Sequence, residues 1–109
     1  MTLPPFFHIT GAGALERIVE LTGTTTIGRA ADNTIVLDDE MISQCHVLLL
    51  IQPEGVLLLD LDSTNGTSVN NVPALPDELV RLTDGDVVTI GYMALRYQAP
   101  CLPLRSVGL

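Results

Sequence analysis

The sequence contains no lysine, and its five basic residues are outnumbered by thirteen acidic ones, for a net charge of −8 over 109 residues. A chain of that sign opposes the phosphates of DNA or RNA and the surface of an anionic bilayer, so neither nucleic acid nor membrane is an expected partner. Cysteine is scarce too. Cys45 and Cys101 stand far apart, Cys45 at an expected strand, a spacing that suggests neither a disulfide framework nor a zinc site. No metal or other cofactor is expected. No apolar run approaches the roughly 20 residues of a spanning helix. The first residues, broken by Pro4 and Pro5, lack the basic segment and unbroken apolar stretch of a signal peptide. The expectation is a soluble, cytoplasmic protein.

Catalytic patterns are missing as well, and no enzyme activity is expected. Ser43 and His46 are three apart, so on one strand they would face opposite ways and form no nucleophile–base pair. His8 is the other histidine and lies in an N-terminal segment of open assignment. Gly11-Ala12-Gly13 starts like a dinucleotide loop, but Glu16 follows at the wrong place and no βαβ unit succeeds it. The carboxylates are scattered among turns, as on a solvated surface.

What is present is a single domain's worth of apolar sequence: 47% of the residues are hydrophobic and 17% charged. From Ile18 onward, short β-branched or Leu-rich runs are separated every 8 to 12 residues by turn formers, the pattern of an all-β sandwich. Strands are expected over 17–21, 24–28, 35–37, 46–52, 56–60, 68–69, 80–82, 87–90 and 94–98. Asn65-Gly66 and Asp84-Gly85 supply the positive φ of tight turns. Pro73 and Pro76 bracket a surface excursion, with one helical turn expected over 77–79. Residues 1–13 and 99–109 fall outside the pattern and read as terminal extensions that either act as linkers or pack back on a domain spanning 14–98.

The informative polar residues concentrate in three loops: Gly28-Arg29 with Asn33; Ser43-Gln44-Cys45-His46; and Ser63-Thr64-Asn65-Gly66-Thr67. Val69-Asn70 and Gly85-Asp86 follow in order. This succession resembles the forkhead-associated (FHA) domain family, and the resemblance covers about Ile18 to Gln98. It implies a sandwich of about eleven mostly antiparallel strands and a module that binds phosphothreonine peptides through loops at one end. The partner it implies is a threonine-phosphorylated protein, the product of a Ser/Thr protein kinase.

The resemblance also implies roles. Arg29 would bind the phosphate, Ser43 would donate its hydroxyl to it, Thr64 would lie near it, and Asn65 would bond the peptide main chain; Gln44 stands at a peptide-flanking position where many members carry Arg. Gly28, His46 and Gly66 would be architectural, and Gly85 and Asp86 belong to turn chemistry. A planar guanidinium suits a phosphate dianion best, whereas the plain alternative is a surface ion pair of Arg29 with Asp32 or Asp38.

Two departures complicate this reading. Asp62 and Asn71 stand where the family commonly has Gly, and Asp32, Asp38, Asp39, Glu40 and Asp62 form an acidic surround that would repel phosphate. One hypothesis is therefore a phosphopeptide reader favouring basic or neutral flanks. The other is a phosphate-independent scaffold acting through apolar contacts or oligomerisation, because Leu48, Leu50, Leu57 and Leu59 share the sheet face opposite the core. That face is expected to be covered by a terminal segment, a second subunit or a neighbouring domain.

Overall fold

The computed structural model describes residues 3–11 and 16–100. In chain order the strands are β1 (Phe6–Gly11), β2 (Arg17–Glu20), β3 (Thr25–Gly28), β4 (Ile35–Val36), β5 (Val47–Gln52), β6 (Gly55–Asp60), β7 (Thr67–Val69), β8 (Val72–Ala74), β9 (Leu79–Leu82), β10 (Val87–Ile90) and β11 (Met93–Gln98). They form a six-stranded sheet, β2-β1-β11-β10-β7-β8, and a five-stranded sheet, β4-β3-β5-β6-β9. Among these ladders only β3–β4 is parallel. The all-β, mostly antiparallel sandwich expected from the sequence is the fold observed.

Alternation explains the core. In β5 and β6, Val47, Leu49, Val56 and Leu58 point inward and are essentially inaccessible, as the period of two in a strand requires. Facing them are Phe7, Ile9, Val88, Ile90, Leu95 and Tyr97 from the other sheet. Each such side chain contributes about 1.5–3 kcal/mol by leaving water. Phe7 and Tyr97 are cross-strand partners whose rings meet edge to face, with centroids 6.1 Å apart.

The structure departs from the sequence-based expectations in a few places. Residues 6–11, whose sequence leaves open both a linker and packing back on the domain, form β1, a strand not among those expected, which lies between β2 and β11 and sends Phe7 and Ile9 into the core. Pro73 does not interrupt structure; it sits in β8, a sheet edge, where a missing N–H costs no ladder bond. The helical turn expected over 77–79 is instead a β-turn closed by Glu78 N–H donating to Leu75 O at 3.0 Å, with Leu79 already in β9. Cys45 is exposed in the loop before β5 rather than within a strand. The C-terminal extension lies outside the described residues from position 101 on, Cys101 included.

The outer face of the five-stranded sheet is less open than its sequence implies. Leu48 opposes Leu59 and Leu50 opposes Leu57, and all four are half-buried, since directly opposed side chains on a pleated surface shield one another. Among the described residues no helix is long and apolar enough to cross a membrane.

Candidate functional site

Three loops meet at one end of the sandwich: 29–34 between β3 and β4, 37–46 between β4 and β5, and 61–66 between β6 and β7. The first two are sewn together at Gly28. A Cβ there would collide with the Gln44 carbonyl oxygen and lie 2.8 Å from Asn33 Nδ2, so only glycine admits the crossing. Asn33, 8% exposed, donates Nδ2 to Ala30 O (2.9 Å) and Gln44 O (2.7 Å). Main-chain bonds from Arg29 N–H to Ser43 O (3.0 Å) and from Ala30 N–H to Gln44 O (3.2 Å) complete the seam.

The Arg29 side chain leaves this seam for solvent. Its Nε–H donates to Ile42 O at 3.1 Å, which fixes the stem, while the terminal nitrogens bond no protein group among the described residues. No ion pair to Asp32 or Asp38 forms among the described residues; the one basic–acidic contact at hydrogen-bond distance there is His8 Nε2 with Glu16 Oε2, 2.7 Å.

The second and third loops are joined by His46, which is fully buried. Its Nδ1 accepts from Ser43 N–H (3.0 Å), so Nδ1 carries no proton and Nε2–H donates to Gly66 O (2.9 Å). Its lone pair thus serves the Ser43 main chain and not the hydroxyl, an arrangement for architecture and not for activating a nucleophile. Ser43 Oγ accepts from Thr64 N–H (2.9 Å) and keeps its own proton to donate. Asn65 Nδ2 donates to Met41 O (2.9 Å) and makes a long contact with Met41 Sδ (4.0 Å), leaving its Oδ1 available and its second amide hydrogen only weakly engaged. Gly66 turns the chain at φ 84°.

Asp60 organises the third loop, a role the sequence reading missed. Only 2% exposed, it accepts from the hydroxyls of Ser63 and Thr67 (2.6 Å each) and from Ser63 N–H (3.0 Å). Ser63 Oγ in turn accepts from Gly66 N–H at 3.0 Å. Burial works against the charge of Asp60, but these hydrogen bonds outweigh it and hold the carboxyl below its ordinary range. A signal was present: Val56, Leu58 and Asp60 alternate onto the core face, so a carboxylate was directed inward and required partners.

Arg29, Glu40, Met41, Ile42, Ser43, Thr64 and Asn65 line a shallow cavity of about 130 Å³. Arg29, Ser43, Thr64 and Asn65 are therefore brought together as expected from the sequence, whereas Gln44 is exposed and enters the seam through its carbonyl without lining the cavity. The acidic surround is thinner than expected. Asp39 is half-buried and spent on Met41 N–H and Tyr92 N–H, both at 2.8 Å, tying this loop to the β10–β11 turn. Asp62 lies outside the cavity, and only Glu40 lines it. Asp62, Asn70 and Asn71 have φ of 56°, 52° and 68°. Asp62 and Asn71 stand where Gly was the expected residue, and Asp and Asn are the non-glycine residues that adopt this region most readily. No group of three or more potential ligands is placed to hold a metal ion among the described residues.

The end loops of this β-sandwich present one tethered guanidinium beside a hydroxyl and an amide, groups chemically suited to an anion. Residues 25–91 match the family model of the FHA domain, and the chain belongs to that family. It is 39% identical over 87 residues to the ABC transporter ATP-binding/permease protein Rv1747 of Mycobacterium tuberculosis, covering 80% of this chain and 10% of that one. It is 38% identical over 82 residues to the FHA domain-containing protein FhaA of the same organism, covering 75% of this chain and 15% of that one. The chain thus spans a small part of these relatives. A solved structure from work on phosphothreonine-dependent FHA domain interactions superimposes with a TM-score of 0.75 at 32% identity, over 91% of this chain and 99% of the other.

Proposed function

We propose that the loop end binds a phosphothreonine peptide of a partner protein modified by a Ser/Thr kinase, and that the chain catalyses nothing. The observation that carries this reading is the Arg29 guanidinium, held through Nε with its terminal nitrogens free beside the Ser43 hydroxyl. A phosphate carries about −1.5 to −2 charges at neutral pH and accepts from both. Thr64 closes the cavity on the third-loop side. Asn65 offers a free acceptor and a donor to an extended peptide main chain, and Gln44, exposed beside the seam, is assigned to a residue flanking the phosphothreonine. A cytoplasmic setting, where kinases and their ATP are found, belongs to the same proposal.

The test is binding of a degenerate phosphothreonine peptide library measured beside its unphosphorylated counterpart and beside Arg29→Ala. Phosphate-dependent binding that disappears in the variant is the expected outcome. Equal binding, or none, in all three sinks the proposal and favours the scaffold role of the leucine-rich sheet face.

A further inference from the structure

The cavity at the phosphate-binding loops is not the largest on the molecule. One of about 820 Å³ lies next to it, between the β6–β7 loop and the β8–β9 turn. Its apolar lining is Leu59, Leu61, Leu75 and Pro76, of which Leu75, 62% exposed, presents apolar surface to an incoming segment. Asp62, Asp77 and Glu78, all exposed, and the buried Asp60, already bonded to Ser63 and Thr67, complete it. The two walls are each closed on themselves, one by the Asp60–Ser63 hydrogen bonds and the other by the Leu75–Glu78 turn. The β6–β9 ladder, in which Leu59 pairs with Leu79, joins them at the base, and among the described residues no cation pairs with Asp62, Asp77 or Glu78.

This chemistry selects its occupant. A wholly apolar segment would strip water from carboxylates without replacing it, and an acidic one would be repelled. A long cationic side chain satisfies both surfaces, its methylenes covering leucine and its head meeting carboxylate. A second copy of this chain is disfavoured, since each copy carries −8. Position narrows the choice further: Asp62 is two residues from Thr64, so their Cα atoms are within about 7 Å. A peptide held at the phosphate cavity reaches the groove with its next few residues.

From this we infer that the groove docks an Arg- or Lys-bearing segment, with an adjoining aliphatic residue, that flanks the phosphothreonine of the same partner. The inference rests on the phosphothreonine reading and adds to it a second contact made by the same ligand.

The experiment compares equal-length phosphothreonine peptides carrying neutral flanks, or an Arg-Leu pair two to five residues to either side, by fluorescence anisotropy. On the native chain one Arg-Leu peptide binds about tenfold tighter than the neutral one, the range of one charge-assisted contact. That gain falls to within twofold in Asp62→Asn/Asp77→Asn/Glu78→Gln and in Leu75→Ser. It persists in Glu16→Gln/Glu20→Gln/Glu54→Gln, which neutralises as many charges elsewhere. A gain lost equally in both triple variants reflects overall charge and overturns the inference, as does equal binding of neutral and cationic phosphopeptides. The phosphothreonine reading fails separately, if the neutral phosphopeptide binds no better than its unphosphorylated twin. In that case amide shifts at Leu61, Leu75 and Asp77–Leu79 on adding the unphosphorylated Arg-Leu peptide still report the groove, and their absence overturns it.

Discussion

The two ends of the sandwich are built from the same kinds of residue and do opposite things with them. At the end away from the three loops, between β9 and β10, Asp86 accepts from Thr83 N–H (2.8 Å), the Thr83 hydroxyl (3.0 Å) and Asn70 Nδ2 (2.9 Å). Asn70 Oδ1 takes Val87 N–H at 3.0 Å, and Asp84 takes Ala99 N–H at 2.9 Å. Those side chains are consumed in closing the turn. At the loop end the buried members, Asn33, His46 and Asp60, are consumed in the same way, but above them Arg29, Ser43 and Asn65 each retain unused capacity. A site differs from a turn here by what is left over after the loops have been held together.

Substitutions at the two ends should therefore separate binding from stability. Arg29→Ala is expected to lower phosphopeptide affinity by about tenfold to a hundredfold, the range of charge-assisted hydrogen bonds, with no change in urea midpoint; a shifted midpoint would mean that Arg29 belongs to the scaffold. Asp60→Asn places an amide where three donors converge and is expected to cost about 1–3 kcal/mol of stability, read from urea unfolding, and to weaken peptide binding as the third loop loosens. Asp86→Ala should cost about 1 kcal/mol by the same measurement and leave affinity untouched; a binding defect there would erase the contrast between the ends. Glu40→Gln is the mildest, raising affinity by about twofold at low salt as one repulsive charge leaves the cavity, and less as salt screens it.

Acid sharpens the same contrast. Asp60 and Asp86 are both opposed by burial and held below the ordinary value of 3.8 by hydrogen bonds that outweigh it. The unfolded chain thus binds more protons around that pH, and stability rises with pH there. Their contribution is complete above the unfolded value and is lost as pH falls through the lowered folded ones. Asp60→Asn should flatten part of this acid slope, measured as unfolding free energy against pH below about 5.

Much of this was legible in the residues, and the failures have physical causes. Strands β5, β6 and β10 announce themselves because each carries a local apolar run bounded by turn formers. β1 does not, because Phe7 and Ile9 acquire meaning only through pairing with Tyr97 and Leu95 at the far end of the chain. β8 was hidden by Pro73, whose tolerance depends on an edge position that no local pattern reveals. The loops' order gave the candidate site. Which carboxylates face the cavity could not be read, because Asp39 and Glu40 are neighbours and only the fold turns one onto Tyr92 N–H and the other into the cavity.

The place of β1 also governs when the domain can form. Its ladder partner runs from Met93 to Gln98, so a ribosome must release nearly all of this sequence before the six-stranded sheet can close. Until then the nascent chain offers β2 alone as a partner for β1. Long-range pairing of this kind slows folding and leaves β1 with one edge unpaired during synthesis.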